Sequence, residues 1–396
     1  MGIPKQAELD RDFAADTLAA SPPAAGTIAT YRRFEDAEAA WREFERGAVA
    51  TPYQRIDWME AWHRHIGSRH GVEPLIVVAR DGSGRPSFLW PLGVRRRGIA
   101  IIGEWLGCKH VNYKLGLYAP DFAADATRRA LVPVMTHLRD ETGLDALLLV
   151  NQPETWQGTV NPLAALPHQN APSFAYSLAL KPDFDALYAE LRSGSTRKKL
   201  RRSERRIVDE FGSCILRRPA NADEVDRALD IFFLQKSKRM QDRQLSNVFA
   251  EPGVMDFFRE LAVRSIGAEE PLLDLFWLDA GGHVAATWAG TAAGGRLCGM
   301  VNSFDEERFG QHHPGEVMLR LLIEHCCRRG LKEFDLGVGE AQYKESWCPR
   351  VDRLFDSFLP LTALGWMHTT AAGAGFRLKR TVKQSRFLTG MADRLR

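Results

Sequence analysis

The chain has 396 residues, of which 45% are hydrophobic and 26% charged, enough apolar material for two or three cored domains, so disorder of the whole chain is excluded. A net charge of +3 excludes a general nucleic-acid binder and directs attention to where the charge sits. Six cysteines without a C-x-x-C pair exclude a compact disulfide framework and suit reduced, buried thiols in a cytoplasm.

Residues 1–27, rich in alanine and carrying Ser21-Pro22-Pro23, read as an unpacked leader; they lack an apolar h-region, so no signal peptide is expected. From Ile28 the pattern becomes globular. Helices are predicted over 36–44 and 56–66, the second with Trp58, Met59, Trp62 and Ile66 at helical spacing. His63 and His65 stand two apart and diverge on a helix, so no metal site is expected there. Strands over 74–80, 87–96 and 99–106 form a meander, with Asp81-Gly82-Ser83-Gly84 as a turn between the first two. A helix over 128–142 stops at Gly143, a strand follows over 145–150, and the proline-rich stretch 151–172 connects to a second half.

That half opens with a strand (174–180) and a helix (184–191), and then the most basic segment: seven of the ten residues from Arg197 to Arg206 are Arg or Lys. On a helix Arg197, Arg201 and Arg205 line one stripe beside Lys198, which is either a solvated face or a phosphate or RNA contact. Asn221 with Glu224 is a capping box for a helix to about Met240. A helix over 254–265 and three strands over 272–278, 283–292 and 296–302 follow.

The strands lead into the most informative stretch. Gln311, His312, His313, Pro314 and Gly315 open an apolar helix over 316–329, Gly330 stops it, and a strand over 332–336 ends in the turn Gly337-Val338-Gly339. Pro314 and Gly315 place backbone N–H groups and the positive end of a helix dipole together, an anion site. The turn delivers Glu340, Tyr343, Lys344 and Trp347. A phosphate-bearing acyl donor can meet an acceptor here. A last strand is predicted over 354–361, a small-residue linker over 369–375, and a basic amphipathic tail over 363–396 in which Phe387, Leu388, Met391 and Leu395 share a face that can lie on anionic lipid or a partner.

Thr51-Pro52-Tyr53-Gln54 with Trp58 and Trp62, Trp90-Pro91-Leu92, Arg197-Lys198-Lys199-Leu200-Arg201-Arg202, His313-Pro314-Gly315, and Phe334-Asp335-Leu336-Gly337 with Tyr343-Lys344-Glu345-Ser346-Trp347 together resemble the CelD/BcsL family, over roughly residues 30–362. Those proteins are described as acetyltransferases of the GCN5-related (GNAT) superfamily associated with cellulose and exopolysaccharide synthesis, and they resemble the Fem transferases, which use aminoacyl-tRNA. The resemblance implies an α+β protein of two tandem GNAT-like domains, each a mainly antiparallel mixed sheet flanked by helices, with boundaries at 28–172 and 173–362. It implies a cytoplasmic acyl-CoA enzyme, peripheral at the inner membrane at most, that acts on a saccharide acceptor without a metal and serves polysaccharide-synthesis machinery.

Within it, Gln311, His313, Gly315, Glu316 and Val317 stand at the pyrophosphate loop, where Gly315 alone keeps the superfamily's glycine pattern. Backbone N–H groups of Met300, Val301 and Asn302, where their strand splays from the 332–336 strand, are the expected oxyanion donors. Asp335, Glu340 and either His312 or His313 are the candidate bases, a histidine having an intrinsic pKa near 6.5. Lys344 is placed to offset phosphate or oxyanion charge, and Tyr343 to protonate the leaving thiolate. The alternatives are a Fem-like aminoacyl-tRNA-dependent transferase, with RNA on the basic helix, and a non-catalytic GNAT-like subunit of a polysaccharide synthase.

Overall fold

The computed structural model describes residues 26–392, with side chains through Ser385 except that of Gln384, so the expected leader and the tail face of Phe387, Leu388, Met391 and Leu395 lie outside what is described. The chain divides into two compact units, one made of residues up to 63, 67–174 and 352 onward, the other of 64–66 and 175–351.

The first unit begins with β1 (Gly26–Tyr31), which takes Gly26 and Thr27 from the expected leader into a sheet. Helix α1 (Phe34–Glu45) buries Phe34, Ala37, Trp41 and Phe44, and α2 (Ile56–Trp62) buries Trp58 and Trp62 before the chain widens into a π turn over His63–Gly67. Thr51-Pro52-Tyr53-Gln54 forms a capped turn between them: Thr51 N–H donates to Gln54 Oε1 at 3.0 Å, and Trp41 Nε1 donates to the Gln54 carbonyl at 2.9 Å. The motif is therefore a buried fastener. The meander follows as β2 (Glu73–Asp81), β3 (Pro86–Arg97) and β4 (Ala100–Trp105), all antiparallel neighbours. Helix α3 (Arg128–Thr142) ends at Gly143, whose φ of 69° is the left-handed cap that glycine tolerates. It delivers β5 (Ala146–Pro153) parallel to β4, and β6 (Gln169–Asn170) comes later.

The second unit repeats this plan. It contains β7 (Ala175–Ala179), α4 (Phe184–Leu191), α5 (Gly194–Phe211), β8 (Ile215–Arg217), α6 (Ala222–Asp242) and α7 (Val254–Arg264). Asn221 Oδ1 caps α6 by accepting from Glu224 N–H at 2.9 Å. The antiparallel meander is β9 (Asp274–Ala280), β10 (His283–Ala293) and β11 (Arg296–Phe304), and α8 (Pro314–Arg328) crosses over to β12 (Glu333–Val338), parallel to β11. A short helix, α9 (Gln342–Trp347), occupies part of what reads as a turn in the sequence, and β13 (Arg350–Asp352) is the last strand of this sheet. The sheet order is β8-β9-β10-β11-β12-β7-β13, with α6 and α8 packed on it. As expected of its apolar surface, α8 buries Val317, Met318, Leu319, Leu322, Ile323, Cys326 and Cys327.

The chain then returns to the first sheet. β14 (Leu354–Pro360), predicted to close the second half, instead pairs antiparallel with β5 and β6, giving the order β1-β2-β3-β4-β5-β14-β6. The boundary expected at 362 therefore moves: residues 352 onward belong to the first unit. The reason is pairing. β12 already has antiparallel β7 on its outer side, whereas β5, paired with β4 on its inner side, lacks an outer neighbour until β14 arrives. Residues 363–392 form one helix, α10 (Ala363–Ala392), packed on β14, β5 and β4; the small residues expected to make a linker let it approach the sheet. Gly365 sits so close to the Asp145 carbonyl that a Cβ would stand 1.7 Å from it. Both sheets are thus mixed, mainly antiparallel and flanked by helices. Among the described residues no helix is long and apolar enough to cross a membrane.

Candidate functional site

β11 and β12 pair in parallel only over three positions, from Arg296 with Glu333 to Cys298 with Asp335. Beyond these the strands part. Two features hold that geometry. Gly299 lies where a Cβ would meet the Asp335 carbonyl at 2.9 Å and the Trp288 ring at 2.8 Å, so only glycine allows the close approach just before the split. Next, the β10–β11 register shifts between Ala289 and Gly290, which leaves Met300 without an opposite residue as a bulge. Met300 to Asn302 thus present a strand edge unpaired to β12.

A cavity of 360 Å³ lies in this unit. Its lining includes Arg239 from α6, Trp288 from β10, Asn302 and Phe304 from β11, His313, Gly315 and Glu316 from the start of α8, and Tyr343 from α9. The helix start carries the turn. His313 adopts φ 50° as the N-cap, Pro314 is the first helical residue, and the N–H groups of Glu316 and Val317 donate to the His313 carbonyl at 3.1 and 3.2 Å. A Cβ on Gly315 would stand 3.6 Å from the Phe304 ring, on the cavity wall. The positive helix end and the Arg239 guanidinium, 4.6 Å from the centre of the Phe304 ring, give the cavity a place for an anion.

Tyr343 is the sequence-predicted residue best placed for chemistry. Its Oη accepts from Asn302 Nδ2 at 3.1 Å, leaving the phenol proton to donate into the cavity, and burial raises its pKa so that the proton is retained. Lys344, 8% exposed, does not line the cavity: its Nζ donates to the carbonyls of Gly337 and Val338 at 3.2 and 2.9 Å. Burial pulls its pKa down to about 8, with Asp335 the first group opposing the fall. It ties α9 to the end of β12, and with it Tyr343.

Several expectations are corrected. Asp335 is fully buried and accepts from Arg296 at 2.5 and 3.0 Å and from the Gly337 N–H at 2.5 Å; a carboxylate held this way is a strut for β12 and the turn rather than a base. The Glu316 carboxylate accepts from Arg192 at 2.7 Å and Trp347 Nε1 at 2.9 Å, so its side chain locks α9 to α8. His312 is buried and faces Glu210 at 3.0 Å, while Gln311 lies beside it in a shallow depression with Arg206 and Asp209, away from the cavity lining. The side chains of Val301 and Val317 lie in the core, which leaves the backbone N–H role expected of Val301 untouched. Of the basic stripe, Lys198, Arg201 and Arg205 are exposed, Arg197 is half-buried, and none lines the cavity. Glu340 is half-buried in the turn after β12 and also lies off the lining.

The sequence reading missed Lys236 and Arg239. Lys236 Nζ donates to the Asn302 carbonyl at 3.1 Å, and burial lowers its pKa to about 8, with Arg239 and Lys344 adding repulsion. Its i, i+3 relation to Arg239 on a helix otherwise packed by Phe232 and Leu229 was the available signal.

Residues 194–345, which contain the whole cavity lining, match the acetyltransferase (GNAT) domain family. No curated protein matches the chain. Among solved structures, FemX is similar with a TM-score of 0.56 at 9% identity, covering 85% of this chain and 96% of that one. A conserved protein of unknown function from Bacteroides thetaiotaomicron gives 0.52 at 12% identity, covering 84% and 100%. The C-terminal domain of a putative lysylphosphatidylglycerol synthetase from Agrobacterium fabrum gives 0.51 at 11%, covering 86% and 96%. At these identities the likeness concerns the fold. The stretch that matches the acetyltransferase (GNAT) domain family lies in the second unit and holds the cavity.

Proposed function

We propose that the second unit transfers an acyl group from acyl-CoA to an amine or hydroxyl of a saccharide precursor, in the manner the CelD/BcsL resemblance implies. The observation that carries the acyl-transfer reading is the parting of β11 and β12 in a chain whose residues 194–345 match the GNAT domain family. There an acyl carbonyl can take the place of a missing strand neighbour, its oxygen on N–H groups of the β11 edge. The donor's phosphates lie at Gly315 and Arg239. The acceptor attacks the thioester carbon, a tetrahedral oxyanion forms, and Tyr343 protonates the departing thiolate as the C–S bond breaks. His313, exposed at the cavity, takes the proton from the acceptor.

Calorimetric titration with acetyl-CoA tests the donor. Binding is expected for the wild type and lost in Gly315→Asp, whose carboxylate would repel the phosphates. A wild type that binds no acetyl-CoA would sink this reading. One observation favours a second: the exposed Lys198, Lys199, Arg201, Arg202, Arg205 and Arg206 on α5 suit an RNA backbone and thus an aminoacyl-tRNA donor. Copurification of tRNA, weakening steeply with salt, would support it. For the membrane contact implied by the basic tail, exposed Leu378 and Val382 stand beside Lys379 and Lys383 on α10, and sedimentation with anionic vesicles is the measurement. A stable partner with neither ligand bound would favour the non-catalytic subunit.

A further inference from the structure

The first unit has a cavity of its own, 110 Å³, between β14, β6 and the first turns of α10. It is built around Asp356. In the register between β14 and β5, Phe355 faces Gln152 and Ser357 faces Leu149, so β5 has one residue more than β14 at this point. That bulge is at Asn151, whose φ is 56°, and its N–H is turned from the ladder onto Asp356 Oδ1 at 2.8 Å. The other oxygen, Oδ2, has no partner although the residue is 0% exposed and lines the cavity. Burial is the largest influence on this carboxyl and lifts it to about 6, against the Asn151 N–H, Lys114 and Lys379; at neutral pH it carries its charge.

The remaining polar lining is biased toward acceptors. Thr369 and Thr370 both donate their hydroxyl protons to the Trp366 carbonyl, at 3.0 and 2.8 Å, so their oxygens can only accept further bonds. His168 Nδ1 lies 2.8 Å from the Leu166 carbonyl and must donate to it, which leaves Nε2 as an acceptor in the neutral ring. The one cationic group of the lining, the exposed Arg377, donates from Nε to Gln169 Oε1 at 2.8 Å and keeps its other N–H groups, and Gln169 Nε2 is directed at the Gly373 carbonyl. Phe358 and Trp366 supply the apolar wall.

We propose that this cavity is a binding site for a small primary ammonium group, held by Asp356 Oδ2 with Thr369, Thr370 and His168 accepting its remaining protons. An ammonium has three donors and no acceptor, which complements the Asp356, Thr369, Thr370 and His168 acceptors. The volume admits an amine head with a short carbon stem, as on an alkylamine or the amino group of a larger ligand reaching in. The site is independent of the acyl-transfer reading, being built from residues of the other unit.

Titration of the full chain with methylammonium chloride at neutral pH tests it, with tetramethylammonium chloride and glycerol as comparisons. Saturable binding of methylammonium alone is expected. Affinity should fall about tenfold or more in Asp356→Asn, the scale of a hydrogen bond to a charged group, and severalfold in Thr370→Val. Thr370 is exposed, so that variant decides the matter should Asp356→Asn fail to fold. No binding to the wild type, binding unchanged in Thr370→Val, or equal binding of tetramethylammonium, which has no N–H to donate, overturns the proposal. Tighter binding of glycerol overturns it in favour of a polyol site.

Discussion

Asp335 and Tyr343 lie eight residues apart in the sequence and do opposite work. Asp335 is locked to Arg296 in the interior, and breaking such a pair typically costs about 3–5 kcal/mol, a loss moderated here by Glu333, which stands 3.0 Å from the same arginine. Asp335→Asn should therefore lower stability to urea by about 3 kcal/mol, and pairing it with Arg296→Met should recover part of the loss. A catalytic base would give lost turnover with unchanged stability. Tyr343→Phe keeps the ring and removes only the proton. It should lower kcat by about 100-fold, the lower range for general acids, with little change in affinity for acetyl-CoA. Equal loss in kcat and affinity would assign Tyr343 to binding.

Lys344 gives a pH prediction. Its folded pKa of about 8 lies below the usual lysine value of 10.5, so between these values the unfolded chain holds the proton more tightly than the folded one. Stability contributed by this site rises with pH from about 8 to about 10.5, by about 3 kcal/mol in all. Comparing wild type with Lys344→Met in denaturant melts across that range isolates it: the wild type should gain on the variant as pH rises. A gap that stays constant would mean the ammonium is not paying for burial.

At the scale of elements, apolar periodicity and glycine stops made most helices and strands legible. The helix over 184–191 matches its predicted bounds, and the meanders at 74–106 and 272–302 fall within a few residues of theirs. Local chemistry decides such segments. What local chemistry does not carry is which strands become neighbours, and β14 has the same alternation whichever sheet it joins. The site was legible as a place and less so as a set of side chains. The pattern His313-Pro314-Gly315 marks the cavity edge, but whether an acid such as Asp335 faces a ligand or an arginine 39 residues away depends on register across β11 and β12. Gly299 is the element-scale test of that register. Gly299→Ala should force β11 from β12 or displace Trp288, costing about 1–3 kcal/mol as overpacking does, and widening the cavity seen by acetyl-CoA. An unperturbed melt would show that the strands have slack at this point.

At the scale of the molecule, β7 and β14 hold corresponding places in the two sheets, each antiparallel to the strand that follows a crossover helix. They arrive from unequal distances. All strands of the second sheet lie within 175–352, whereas the first sheet is incomplete without β14 and the helix behind it. A fragment of residues 175–351 should show a cooperative melt, since its apolar faces and strand edges are satisfied from within. A fragment ending at 174 should not, because the outer edge of β5 and the surface covered by α10 would be bare. Circular dichroism on the two fragments checks this, and restoring 352–392 in trans should rescue the second.

This strand placement also sets an order of events during synthesis. The Asn151 to Asp356 hydrogen bond joins residues 205 apart, so the first sheet cannot close when its own residues leave the ribosome. It must wait, half-made and with an open edge, while the second unit is translated and folds to completion. The stretch that seals the first sheet emerges after the whole second unit, so a message cut short or a nascent chain stalled just beyond residue 351 would yield a finished second unit attached to an unfinished first.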